Sequence, residues 1–99
     1  MRLTLAQIAA IRGATAEIFG EQANVWLFGS RVDDSKRGGD IDLLIHPGHF
    51  LANSNLPRKI SFLGKLERVL GERKVDVIIE ESDDPRPIVR VAHETGIRL

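Results

Sequence analysis

Apolar residues recur along the chain with two periods, and these periods predict alternating helices and strands. In the first stretch they return at near-helical spacing, at Leu5, Ile8, Ile11 and Ile18. Thr4 and Gln7 just before it resemble a capping box, and Gly20 follows it. We therefore expect a first helix over about residues 5–19.

Three shorter stretches have the composition of strands. Residues 24–28, NVWLF, are rich in β-branched and aromatic side chains and end abruptly at Gly29. Residues 40–46 and 74–80, DIDLLIH and KVDVIIE, alternate with period two. In DIDLLIH this alternation sets Ile41, Leu43 and Ile45 on one face, and Asp40, Asp42 and Leu44 on the other. In KVDVIIE it sets Asp76 opposite Val75, Val77 and Ile79.

Two further helices complete the predicted order. After a loop over residues 47–57, apolar residues at helical spacing predict a second helix that ends near Gly71: Ile60, Leu63, Leu66 and Leu70. Asp84 is placed to cap a third helix with Pro85 at its first position, and Gly96 to end it. The order helix, strand, strand, helix, strand, helix predicts an α/β (α+β) fold, a small mixed β-sheet with helices packed on it.

Length and composition limit the classes of protein to which this chain can belong. A chain of 99 residues fits a single domain over residues 1–99, and 42% hydrophobic with 28% charged residues is typical of a folded protein. The formal net charge of zero argues against stable nucleic-acid binding. The absence of cysteine excludes disulfides and thiolate metal sites. No apolar run has the length of a membrane-spanning helix or a signal peptide, so we expect a cytoplasmic protein without a membrane partner.

Three aspartates are candidates for a metal site. Asp40 and Asp42 point the same way from one strand, about 6.5 to 7 Å apart. If the third strand lies beside the second, Asp76 joins them across the sheet. Three carboxylates so close repel one another unless a cation compensates them, and hard oxygen ligands suit Mg²⁺ or Mn²⁺. Two such ions can assist both the attacking and the leaving oxygen of a phosphoryl group.

The turn after the first strand is a candidate phosphate site. Gly29 and Ser30 follow a buried strand and precede a polar loop, so their backbone N–H groups can point at an anion. A Gly-Ser turn is a weak signal alone, and so is a single Asp-x-Asp triplet. Their joint occurrence with Asp76 in an otherwise apolar strand makes the functional interpretation the stronger one.

This constellation resembles the polymerase-beta nucleotidyltransferase superfamily, and given the small size its minimal nucleotidyltransferases. The resemblance covers four segments: residues 28–31 (FGSR), 39–43 (GDIDL), 75–77 (VDV) and 94–99 (ETGIRL). It implies a palm-like fold and metal binding by Asp40, Asp42 and Asp76. It also implies that Gly29, Ser30 and Arg31 contact the triphosphate of a nucleotide such as ATP.

The resemblance also suggests a biological role. Minimal nucleotidyltransferases resemble one half of toxin–antitoxin pairs, in which a helical HEPN-type toxin is silenced, in some cases by adenylylation. The alternatives are a silent module that neutralises its partner by binding, and, less favoured, an enzyme acting on small antibiotics. Because larger relatives carry a second domain that grips the acceptor, we expect a partner to supply the acceptor here.

Other chemistry-bearing residues favour ordinary structural roles. His46 and His49 supply only two ligands around a Pro-Gly turn, which argues against a dedicated zinc site. His93 is expected to be a packing or surface residue, and Trp26 a core residue. Lys36 and Arg37 are candidates for triphosphate contact by charge alone, and a solvated surface role is favoured for both.

Overall fold

The computed structural model describes residues 3–29, 41–49, 55–71 and 74–99. Within these ranges the elements follow one another as α1 (Leu5–Phe19), β1 (Asn24–Phe28), β2 (Ile41–His46), α2 (Asn55–Leu70), β3 (Val75–Ile79), α3 (Pro87–Thr95) and β4 (Ile97–Arg98). Among the described helices, none has the combined length and apolar character needed to cross a membrane.

The four strands form one mixed sheet in the order β3-β2-β1-β4. β2 and β3 run parallel, whereas β1 is antiparallel to both β2 and β4. The predicted small mixed sheet with packed helices is therefore confirmed, and the third strand lies beside the second.

Each face of the sheet has its own apolar cluster, as the period-two alternation requires. On one face, strand residues such as Leu27, Leu43 and Val77 pack against the buried sides of α1 and α2. On the other face, Phe28 and Leu44 pack against α3. The sheet thus lies between two helices on one side and a single short helix on the other.

The boundaries of α1 agree with the sequence prediction because local capping chemistry determines them. The Thr4 hydroxyl accepts from the Gln7 N–H at 3.1 Å, and the Gln7 side chain accepts from the Thr4 N–H at 2.9 Å. At the other end Gly20 adopts a positive φ of 108° and its N–H donates to Ala16. Two orphan backbone donors are satisfied at the first turn, which fixes where the helix begins.

Helix α2 begins earlier than predicted. It starts at Asn55, so Pro57 lies in its first turn and is not the end of a loop. The first-turn N–H groups of a helix have no intrahelical partner, and a proline there loses no hydrogen bond.

The predicted start of the third helix is wrong. Its N-cap residue is Arg86, with no side-chain capping bond, and its first residue is Pro87, not Pro85. Asp84 has other partners: it accepts from the Glu81 N–H at 2.9 Å and from the Arg86 guanidinium at 2.6 Å. The hydrogen bond from Arg86 holds the pKa of Asp84 well below its usual range, and the same contact raises the pKa of Arg86.

Helix α3 ends at Thr95, and the next residues, Ile97 and Arg98, form β4, which pairs with β1. Gly96 makes this turn feasible. A side-chain carbon there would meet the Ala92 carbonyl oxygen at 2.4 Å and the Leu27 carbonyl oxygen at 3.1 Å. The predicted end of the helix at Gly96 is confirmed.

Candidate active site

Two of the three predicted acids lie side by side on neighbouring strands. Asp42 of β2 pairs in register with Asp76 of β3, and Phe28 of β1 pairs with Asp42 on its other side. In-register residues on adjacent strands point to the same face and lie about 4.8 Å apart. Asp42 is half-buried and Asp76 is exposed. The sheet therefore presents two carboxylates together to solvent.

The remaining predicted site residues lie outside the described residues. These are Asp40, Ser30 and Arg31, together with Lys36 and Arg37. Their roles stay predictions.

Gly29 lies against the carboxylate of Asp42. A side-chain carbon built on Gly29 would lie 2.3 Å from Asp42 Oδ2 and 3.2 Å from its carboxyl carbon. The φ of Gly29 is +76°, a conformation that residues other than glycine rarely adopt. Both constraints favour glycine, and the result is a backbone turn that packs directly on one of the acids.

An open groove of about 710 Å³ begins at these acids and at Gly29. Phe28 and Ile78 line it from the sheet, and α3 contributes Ile88, Val91 and Thr95. The last three are spaced i, i+3 and i+7, so they occupy one side of the helix. The groove combines a carboxylate end with an apolar wall.

From the sequence, the apolar residues of the last helix, Ile88 to Leu99, indicate a docking surface for a partner and not a wall beside the acids. In α3, Ile88 and Val91 remain 40% and 45% exposed although they are large and apolar, while Val89 and Ala92 bury the sheet-facing side. Nothing in the sequence showed that the exposed side lies beside Asp42 and Asp76, since that depends on how α3 crosses the sheet.

Two of the three histidines contact the same glutamate. His46 contacts Glu80 through Nδ1 at 3.2 Å, and His93 contacts the same oxygen through Nε2 at 2.6 Å. Within residues 3–29, 41–49, 55–71 and 74–99, no group of three or more histidine or acidic side chains could hold a metal ion. The proposed third carboxylate, Asp40, falls outside these ranges.

The acids and the glycine turn agree with a comparison against protein families. The family model described as nucleotidyltransferase domain matches residues 8–99. The chain belongs to this nucleotidyltransferase family. A comparison with curated proteins finds no match.

Membership of this family indicates which general reaction the chain catalyses. Nucleotidyltransferase domains transfer a nucleoside monophosphate from a nucleoside triphosphate, so the chain is a nucleotidyltransferase in the broad sense. Such domains generally use divalent metal ions. The donor set fits that requirement, because Asp42 and Asp76 offer hard oxygen ligands on one face of the sheet.

Proposed function

We propose that this protein transfers AMP from ATP to a hydroxyl group of a protein acceptor. The observation that carries the proposal is the in-register pair Asp42 and Asp76 at the mouth of an open groove, with Gly29 packed on Asp42. In this proposal Asp40, Asp42 and Asp76 hold Mg²⁺ or Mn²⁺. Two such ions would neutralise the triphosphate and activate the attacking hydroxyl.

The chain's own residues orient the substrate. We assign the triphosphate to the turn at Gly29, where Ser30 and Arg31 follow in sequence and add a hydroxyl and a guanidinium. Because Gly29 carries no side chain, the backbone of this turn lies directly against the Asp42 carboxylate. In-line transfer needs only positioning and charge stabilisation from the protein, and pyrophosphate is the leaving group.

The open groove favours an acceptor supplied by another molecule. Its α3 wall is apolar and exposed at Ile88 and Val91, and it offers few polar groups to orient a hydrophilic sugar. A protein segment carrying a hydroxyl side chain fits such a wall better than an aminoglycoside does. We therefore propose that the partner is a small helical HEPN-type protein and that the chain acts as its antitoxin in the cytoplasm.

The experimental test compares ATP labelled at two different phosphates. The protein is incubated with Mg²⁺ and ATP labelled at either the α- or the γ-phosphate, with and without a HEPN-type protein. We expect the α-label on the partner, no transfer of the γ-label, and little labelling without the partner. Asp42→Asn should reduce transfer by at least about 100-fold, because it removes a charged ligand while keeping the shape. Transfer of the γ-label would contradict nucleotidyl transfer, and strong labelling of small hydroxyl compounds would contradict the protein acceptor.

A second candidate function is neutralisation of a partner by binding alone. The exposed apolar side chains of α2 favour it: Leu56, Ile60 and Val69 are 67%, 63% and 46% exposed. Exposed apolar surface of this kind is typical of protein contact sites. Suppose that Asp42→Asn binds and neutralises the partner as well as wild type does, and that no label is transferred. This result would support the binding function and contradict the enzymatic one.

A further inference from the structure

Two histidines share one glutamate on the sheet face that α3 covers. Oε1 of Glu80 lies 2.6 Å from Nε2 of His93 and 3.2 Å from Nδ1 of His46. The Glu80 side chain is 16% exposed and the two imidazoles are 35% and 38% exposed. The three residues come from α3, β2 and the end of β3, so the cluster connects three elements.

The cluster lies at the opposite end of the same strands from the acids. His46 is four residues after Asp42 on β2, and Glu80 is four residues after Asp76. Four residues span about 13 Å along a strand. These alternate residues share one face, so the groove and the histidine cluster lie on the same side of the sheet.

Helix α3 lies between the two ends. Its exposed side forms the groove wall, its buried side packs through Val89 and Ala92, and His93 makes the contact with Glu80. The His93 ring also packs edge-to-face on Trp26 of β1, with centroids 4.6 Å apart. The packing of Val89 and Ala92 and the two contacts of His93 together hold this helix against the sheet.

We propose that His93 is a positioning residue, which through Glu80 and Trp26 fixes α3 at the distance from the acids that the bound nucleotide requires. This inference rests on the proposed function for the identity of the ligand. The shared carboxylate makes the anchor more than a single surface contact, since His46 holds Glu80 in place from β2.

Two arginines interact with the cluster or with its neighbours. Arg98 reaches Asn24, which pairs with His46, and Arg86 interacts electrostatically with Glu80.

The fluorescence of Trp26 can report the contact between His93 and the sheet. Trp26 is the only tryptophan and there is no tyrosine, so the emission comes from the ring on which His93 packs. Loss of the imidazole changes the surroundings of this indole. We expect His93→Gln to shift the emission maximum of Trp26, whereas the exposed control His49→Gln should emit as wild type does. An unchanged emission spectrum in His93→Gln would overturn the proposal.

The second measurement separates positioning from folding. His93→Ala should raise the KM for ATP by about 3- to 10-fold with a smaller change in kcat, and His93→Gln, which keeps a donor, should recover most of the loss. Amide exchange should become faster in α3 and stay unchanged in α1. A merely structural histidine would lower the melting temperature and the active fraction but leave KM unchanged, which would contradict the proposal. If wild type shows no nucleotide binding, the proposed function fails, while the fluorescence and exchange results still decide whether His93 anchors α3.

Discussion

Gly29 is the residue at which backbone conformation and candidate chemistry coincide. Its positive φ and its contact with Asp42 exclude a side chain for two separate reasons, one conformational and one steric. The chemical proposal at Asp42 therefore depends on a neighbour that carries no functional group.

Gly29→Ala should displace the Asp42 carboxylate, lower the melting temperature and weaken metal-dependent nucleotide binding. The matched control is Gly13→Ala in α1, where an added carbon meets nothing within 4 Å. That change should stabilise the protein by about 0.5 to 1 kcal/mol, since alanine is the better helix former. Thermal unfolding and nucleotide titration of both variants provide the test. Full nucleotide affinity in Gly29→Ala would contradict the assigned packing.

At the scale of elements, the segment between β3 and α3 depends on one charged pair. The guanidinium of Arg86 donates to Asp84 and to the carbonyl of Ile79, so it ties the approach to α3 to the end of β3. The side chain of Asp84 is 0% exposed. The sequence prediction failed here because Asp84 had the correct spacing for a cap, but its oxygens bind Arg86 and Glu81 instead.

The pH dependence of the melting temperature should reveal how much the Asp84–Arg86 pair stabilises the fold. The pKa of Asp84 is depressed in the folded state, so its stabilisation is present above the unfolded-state pKa of about 3.9 and is lost as pH falls below it. The wild-type melting temperature should therefore fall more steeply between about pH 5 and pH 2 than that of Asp84→Asn. Asp83→Asn is the control, because asparagine tolerates its positive φ of 54°. Identical slopes in Asp84→Asn and wild type would contradict this account.

The sequence predicts an element well when the residues that determine its ends lie within that element or next to it. Helix α1 was predictable to the residue because Thr4, Gln7 and Gly20 act within its own turns. Strand β4 was not, since two residues carry no periodicity and their pairing with β1 depends on the close approach at Gly96. The cluster of His46, Glu80 and His93 leaves no spacing signal at all, because strand register and the path of α3 bring it together.

At the scale of the whole molecule, parallel pairing of β2 and β3 creates the candidate site. The alternation in each strand showed that Asp42 and Asp76 oppose the apolar face, and family membership agrees with the chemistry. The exact register, the apolar wall of the groove and the second cluster behind α3 required the tertiary structure. The open groove next to the acids is what makes an externally supplied acceptor reasonable.

The proposed transfer requires that Asp42 and Asp76 bind a divalent metal together with a nucleoside triphosphate. Titration of Mn²⁺ followed by electron paramagnetic resonance, with a non-hydrolysable ATP analogue, tests it without needing the acceptor. We expect the analogue to strengthen Mn²⁺ binding to wild type, and Asp42→Asn and Asp76→Asn each to weaken it by at least about tenfold. His49→Gln should bind as wild type does. Equal Mn²⁺ affinity in wild type and both aspartate variants would contradict the account.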